Sequence, residues 1–188
     1  MHRRVRGARS CFAAAVLLCG LGTAASEASA AEAPEYQVKS VFLFYFTQFV
    51  SWPAGAFADA RSPFVIGILG DDPFGANLEG AVRGEKADGR PIEVRHFSRV
   101  KDVDVCHILY VSRSESAELS NVLSVLNKRS ILTVSDIEGF SRDGGMIRFV
   151  TENNKVRLRI NVDAAKAAGL LISSKLLRPS EIISSQGE

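Results

Sequence analysis

The sequence predicts an α/β fold: a three-layer αβα domain with a mostly parallel sheet and a C-terminal β-hairpin. Three features carry that prediction. Strand-like apolar runs alternate with helical stretches between residues 34 and 136. The first run, FVIGILG at 64–70, is apolar almost throughout, as strands covered on both faces of a parallel sheet are. Towards the C-terminus, MIRFV and KVRLRI alternate residue by residue around TENN, the pattern of a hairpin.

The first thirty residues stand apart from this domain. MHRRVRGARS carries four arginines and no acid, CFAAAVLLCGLG is a short apolar run, and Ala28-Ser29-Ala30 is a small-residue cleavage site. That is the layout of a secretory signal, and the run is too short to span a bilayer. A lipoprotein signal at Cys19 would want a small residue where Leu18 stands. A twin-arginine signal at Arg3-Arg4 would turn apolar where Arg6 and Gly7 stand. The expectation is therefore a cleaved signal peptide over 1–30, a periplasmic location, and one domain over 31–188, long enough for a real core.

Removing residues 1–30 takes four of the 23 basic and one of the 21 acidic residues, leaving 19 against 20. A near-neutral domain offers no general field for nucleic acid or for a membrane surface. Cys11 and Cys19 leave with the signal, so Cys106 is the one cysteine of the exported part. An internal disulfide and a multi-thiolate zinc site are thereby excluded.

Pro34 to Val50 reads as the first helix, closed by Pro53. After the strand at 64–70, Asp71, Asp72 and Pro73 suggest an Asp N-cap and a Pro at the first helical position, with a helix through Val82. GEKADGR at 84–90 reads as a turn, and PIEVRHF at 91–97 as a second strand. DVDVCHILYVS at 102–112 supplies a third strand and SESAELSNVLSVLNK at 114–128 an amphipathic helix. SILTVSD at 130–136 is a fourth strand. Beyond the hairpin, Asn161 or Asp163 caps a last helix, DAAKAAGLLISSKLL, stopped by Pro179.

No catalytic set emerges. GILGDDPFG follows a strand where phosphates often bind, but it lacks the dinucleotide glycine spacing, and two aspartates would repel an anion. A small-molecule crevice near Gly70, Asp72, Ser112 and Ser135 stays open, because open α/β sheets bind ligands outside strand C-termini. Cys106 and His107 adjoin on a strand, so their side chains point to opposite faces and do not form a nucleophile–base pair. His96, Asp102, Asp104 and His107 match no metal-ligand spacing, and neither Ser112 nor Ser135 sits in a nucleophile elbow. No cofactor is expected. Arg157 and Arg159 share one face of the hairpin, with Arg148 joining across the turn; such a stripe is ordinarily solvated, and contact with an acidic partner is the alternative.

VFLFYFTQFVSWP at 41–53 is the most unusual stretch. No charge occurs from Ser40 to Ala58, and seven aromatics fall between Tyr36 and Trp52. The uninterrupted run is six residues, too short for a membrane span. On a helical wheel the apolar residues from Val41 to Trp52 fill an arc near 200°, wider than the roughly 100° that one covered face needs. Gln37, Ser40, Thr47, Gln48 and Ser51 fill the rest, with Phe44 among them. The arc's edges fit burial or a protein interface equally, and Phe44 fits an interface. Phe44, Tyr45, Gln48, Trp52, Arg157 and Arg159 are the candidate partner-binding residues.

Taken in order, KSVFLFYFTQFVSWP, FVIGILGDDPFG, GRPIEVRHF, CHILYVS, SILTVSDIEGF, GGMIRFV and VRLRINVDAAKAAGLLISSKLL resemble the YfiR family of exported bacterial proteins over essentially all of 35–183. The resemblance implies a periplasmic regulator, not an enzyme. Family members bind the periplasmic part of an inner-membrane diguanylate cyclase and hold it inactive, and an outer-membrane peptidoglycan-binding lipoprotein can sequester them. It also implies that homodimers occur and that cyclic di-GMP, made on the cytoplasmic side, need not be bound. Well-known members carry several disulfide-forming cysteines; here only Cys106 persists, so redox activation is not carried over. The alternative function is a periplasmic small-ligand sensor or solute-binding module.

Overall fold

The computed structural model describes residues 24–183, so the arginines and apolar run of the expected signal peptide lie outside the described residues. Helix α1 spans Ala24–Phe49 and leads into a two-residue strand β1, Val50–Ser51. There follow β2 (Phe64–Leu69), α2 (Ala76–Val82), β3 (Lys86–Ala87), β4 (Arg90–Phe97), β5 (Ile108–Val111), α3 (Leu119–Leu126) and β6 (Leu132–Ser135). The hairpin β7 (Ile147–Glu152) and β8 (Lys155–Asn161) comes next, then α4 (Val162–Ala167), β9 (Leu171–Ile172), α5 (Ser174–Leu177) and β10 (Glu181–Ile183).

Eight strands form one sheet in the order β10-β8-β7-β6-β5-β2-β4-β3. Pairing is parallel from β4 through β2, β5 and β6 to β7, and again between β8 and β10; β7–β8 and β3–β4 are antiparallel. The fold class is thus the α/β one expected, with helices on both faces. On one face, Leu43 and Phe46 of α1, Leu78 and Val82 of α2 and Ala165 of α4 join a core with Ile66, Ile68, Tyr110 and Val134. On the other, Leu119, Val122 and Leu126 of α3 pack with Leu69, Leu109, Val111 and Phe140. After β2 the chain passes to β4 on one side and then returns to β5 on the other. The C-terminal ends of β2 and β5 therefore flank a topological switch point, the usual place for a ligand in an open sheet.

The hairpin turns through Asn153 and Asn154, with φ of 50° and 58°. Both fall in the left-handed region that a two-residue turn matching strand twist requires, and asparagine tolerates it.

Several local readings change. Asp72 Oδ1 accepts from the backbone N–H of Phe74 (2.8 Å) and of Gly75 (3.3 Å), so it closes a turn and α2 begins only at Ala76. The stretch 84–90 is more than a turn: Asp88 and Gly89, both with positive φ, fold β3 back on β4. Of 102–112 only Ile108–Val111 is strand, and 114–128 begins as a 3-10 turn before α3. The expected last helix is broken. Gly169, at φ +75°, ends α4. Leu171 and Ile172 are then free to pair antiparallel with Ser51 and Val50, which ends α1 one residue before Val50.

Candidate functional site

The uncharged segment of α1 is laid on the sheet in an unexpected rotation. Tyr36, Lys39, Ser40, Leu43, Phe46, Thr47 and Val50 are buried. Val38, Val41 and Tyr45 are 45%, 40% and 47% exposed, and Phe42, Phe44 and Phe49 are half-buried. Two residues of the expected solvated sector are thus inside. Ser40 Oγ donates to the Tyr36 carbonyl (2.8 Å) and Thr47 Oγ1 to the Phe44 carbonyl (2.7 Å), so both hydroxyls are satisfied within the helix and can be buried. The apolar residues left in solvent, at spacings of three and four, make one stripe along α1.

The candidate contact residues are distributed around this stripe. Tyr45 and Gln48 are exposed, and Gln48 Nε2 donates to the Lys86 carbonyl at 3.3 Å. Phe44 is half-buried against the core, its ring 5.9 Å from that of Tyr45. Trp52 is half-buried, packed edge-on against Phe64 at 4.9 Å, and donates through Nε1 to the His107 carbonyl at 3.1 Å. Arg157 is exposed and lines a groove of about 820 Å³ with Glu35, Val38, Phe42, Lys155 and Val156. Arg159 is instead held by Glu181 (2.7 Å) and Glu152 (3.5 Å), and stands directly opposite Arg148 in the β7–β8 register. The structure therefore brings Arg157 to the N-terminal half of the α1 stripe and leaves Arg159 with the β10 edge.

At the switch point, the 3-10 turn Arg113–Glu118 folds over the strand ends. Gly70, at φ +85°, lies under it: a Cβ there would collide with Ser114 Oγ, and Asp71 N–H donates to that same Oγ at 3.0 Å. Asp72 sits on the rim, with His96 Nε2 3.1 Å from its Oδ2. Ser112 is buried and its N–H donates to the Leu69 carbonyl (3.0 Å). Ser135 is fully buried, its Oγ donating to the Val111 carbonyl (2.7 Å) and accepting from Ile137 N–H (3.0 Å). These four residues share one end of the sheet, but both serines are buried there and the Ser135 hydroxyl is engaged by backbone. The open space lies one strand further on. A cleft of about 660 Å³ beyond β5 and β6 is lined by Arg113, Ser120, Asp136, Glu138, Asp143 and Arg148, among others.

Asp136, one residue past β6, is the centre of a buried polar cluster. Its Oδ2 accepts from Tyr36 Oη (2.8 Å) and from Lys39 Nζ (2.6 Å), and Arg113 Nε stands 3.2 Å from its Oδ1. Glu35, one turn before Lys39, adds a second carboxylate to the lysine. Burial alone would raise the Asp136 pKa. The hydrogen bond and charge of Lys39, the Tyr36 hydroxyl and the Arg113 charge outweigh it and hold the carboxyl below its usual range. Burial, together with the Asp136 charge, pushes the Tyr36 phenol up to about 12. The Tyr110 phenol, also buried there, is raised by the same two causes. Sequence reasoning did not assign this cluster. Its one signal was Lys39, a lone cation heading an uncharged helix.

Cys106 and His107 do point apart. The Cys106 thiol is buried under α3's side of the sheet and donates to the Ile108 carbonyl (3.0 Å); burial pushes its pKa up to about 12. His107 packs against the rings of both Phe57 (4.4 Å) and Phe64 (4.8 Å). Its Nδ1 accepts from Val65 N–H at 3.0 Å, so Nε2 carries the proton and donates to the Ala56 carbonyl at 3.1 Å. His96 and Asp102 are engaged elsewhere, with Asp72 and Arg99. Among the described residues no three His, Cys, Asp or Glu gather as a metal would require.

A family model described as YfiR/HmsC-like matches residues 36–181. The chain belongs to the YfiR/HmsC-like family. No match is found among curated proteins. Membership supports, at the level of the family, a periplasmic regulator of the diguanylate cyclase pathway, not an enzyme. Among the described residues of this YfiR/HmsC-like chain, no helix is long and apolar enough to cross a membrane.

Proposed function

We propose that this YfiR/HmsC-like protein is exported with removal of residues 1–30 and represses an inner-membrane diguanylate cyclase by binding its periplasmic part, so lowering cyclic di-GMP and biofilm formation. The observation that supports this reading is the α1 stripe: Val38, Val41 and Tyr45 are exposed on a helix that buries Lys39, Ser40 and Thr47. Large apolar side chains held rigidly in solvent are characteristic of protein contact surfaces. Tyr45, Gln48, Phe44 and Trp52 are the contact candidates on and beside α1, and Arg157 and Arg159 those on the hairpin. An outer-membrane peptidoglycan-binding lipoprotein competing for the same surface, and a homodimer, belong to the same proposal.

Deleting the gene tests it: cyclic di-GMP and matrix production rise if the protein is a repressor, and unchanged levels across growth conditions refute it. Affinity capture from the native envelope adds residue detail, with wild type compared with Tyr45→Ser and Phe44→Ser. Equal recovery of the cyclase by all three would remove α1 from the contact. The alternative reading, a small-ligand sensor at the strand ends near Gly70, Asp72, Ser112 and Ser135, is supported by their position at the switch point and is separated by thermal-shift screening.

A further inference from the structure

The outer edge of β8 is only half covered. β8 pairs with β7 along its whole length, but β10 reaches only residues 159–161. Among the described residues, 155–158 have no strand on their outer side. An uncovered edge is a template for another extended chain.

The register says which groups this edge presents. Asn153 and Asn154 make a two-residue turn, which leaves Glu152 and Lys155 as a hydrogen-bonded pair. Such pairs alternate along an antiparallel ladder, so Lys155, Arg157 and Arg159 bond to β7. The Asn161 N–H, donating to the Met146 carbonyl at 2.8 Å, keeps the same alternation. Val156, Leu158 and Ile160 therefore turn their N–H and C=O outwards. Ile160 meets β10 opposite Ile182, whereas Val156 and Leu158 meet no strand.

The two faces beside this edge differ in character. On the α1 side, Val156 packs with the core and shares the groove of Val38 and Phe42. On the other side stand Lys155 and Arg157, both exposed and, among the described residues, in no ion pair. The acids of this region are engaged elsewhere, Glu35 with Lys39 and Glu152 with Arg159. A strand added here would alternate as β8 does. Its apolar residues would lie towards Val38, Phe42 and Val156, and its acids beside Lys155 and Arg157. A second copy of this chain does not supply that pattern. Antiparallel pairing of two β8 edges would set Lys155 and Arg157 beside their own equivalents, and like charges there repel.

We propose that the free half of the β8 edge receives an extended segment of the periplasmic partner, alternating apolar and acidic residues, as an added strand of the sheet. The proposal rests on the reading of this protein as one that acts by protein contact. It joins the hairpin and the N-terminal half of the α1 stripe in one docking surface, with main-chain hydrogen bonds giving affinity and the alternate side chains specificity.

The probe is a short acetylated peptide that alternates valine with glutamate, read by fluorescence anisotropy against the exported protein. It should bind saturably. The same peptide with lysine for glutamate, or N-methylated throughout so that it cannot donate to the edge, should bind about tenfold more weakly or not at all. Val156→Pro removes an outward N–H that β7 does not use, and should abolish binding. Lys155→Glu with Arg157→Glu changes only exposed side chains and should reverse the preference, the lysine peptide now binding better. No binding of either peptide, equal binding of the N-methylated one, or a charge preference unmoved by the double substitution would overturn the proposal. So would a dimer that Val156→Pro separates, since the edge then belongs to a second copy. None of these measurements involves the cyclase, so their failure is distinguishable from failure of the repressor reading in the gene deletion.

Discussion

Lys39 Nζ lies 2.6 Å from Asp136 Oδ2, with both side chains almost wholly buried, and so ties α1 to the end of β6 across 97 positions of sequence. Such a pair fixes the rotation of α1 on the sheet. A helix turned by one residue would leave an ammonium in an apolar core. It is this anchoring that puts Val38, Val41 and Tyr45 outside.

Breaking the pair should be expensive. Asp136→Asn leaves Lys39 with Glu35 alone, and a loss of about 3–5 kcal/mol is expected, as for one partner of a buried ion pair. In a Lys39→Met background the same substitution should cost far less. Urea unfolding of the double-mutant cycle measures the difference, and additive losses would show that the two charges are not coupled.

His107 gives the fold a pH dependence of known sign. Burial lowers its pKa in the folded protein, while the unfolded chain titrates near about 6.5. Protonation would turn Nδ1 from an acceptor into a donor facing Val65 N–H. The unfolded state thus binds the proton first, and stability should be complete above about pH 6.5 and fall as the pH drops below it. In His107→Gln the slope between about pH 6.5 and 5 should flatten, whatever the absolute stability, in melting curves taken across that range.

Gly67, in the centre of β2, has no room for a side chain. A Cβ there would meet Cys106 Sγ, Leu109 Cδ1 and Phe97 Cε2, each at 2.8 Å. Gly67→Ala should destabilise by about 1–3 kcal/mol through overpacking. Adding Cys106→Ala should recover only part of that, because two of the three contacts remain; full recovery in denaturant titrations would assign the whole strain to the thiol.

The α1 stripe should be nearly neutral for stability. Val41→Ser and Tyr45→Ser remove exposed groups and should change unfolding free energy by about 0.5 kcal/mol or less. Phe44→Ser removes a ring packed against the core and should cost more, so its capture result must be read beside its melting temperature. A large loss for Tyr45→Ser would show that its ring supports the fold.

Cys106 should be inert in the native protein. Its thiol is buried and its pKa stands near 12, so thiolate is scarce at neutral pH. Alkylating reagents should label it only as fast as the chain unfolds. Rapid labelling in native buffer, followed by mass spectrometry, would contradict its placement.

Much of this was legible because it is local. The period-two alternation of MIRFV and KVRLRI, the apolar run of β2, and the left-handed asparagines of the hairpin turn state their structure within a few residues. Asn161 as the cap of α4 is local in the same way, its Oδ1 accepting from Ala164 N–H at 2.9 Å. So is the opposition of Cys106 and His107.

By itself the sequence determined the fold class, the six longer strands β2 and β4 to β8, the family, and the aromatic helix as the feature to explain. It did not determine which side of that helix is wet. Hydropathy assigns Ser40, Thr47 and Lys39 to solvent, yet all three are buried, the hydroxyls bonded to their own helix and the ammonium to a carboxylate 97 residues away. Nor could it show the break at Gly169, where an apparently continuous helix yields Leu171–Ile172 to pair with β1. Polar groups go inside when distant partners meet them, and those partners exist only once the chain has folded. The Asp136 cluster and the cleft beside it were decided there, in the tertiary structure.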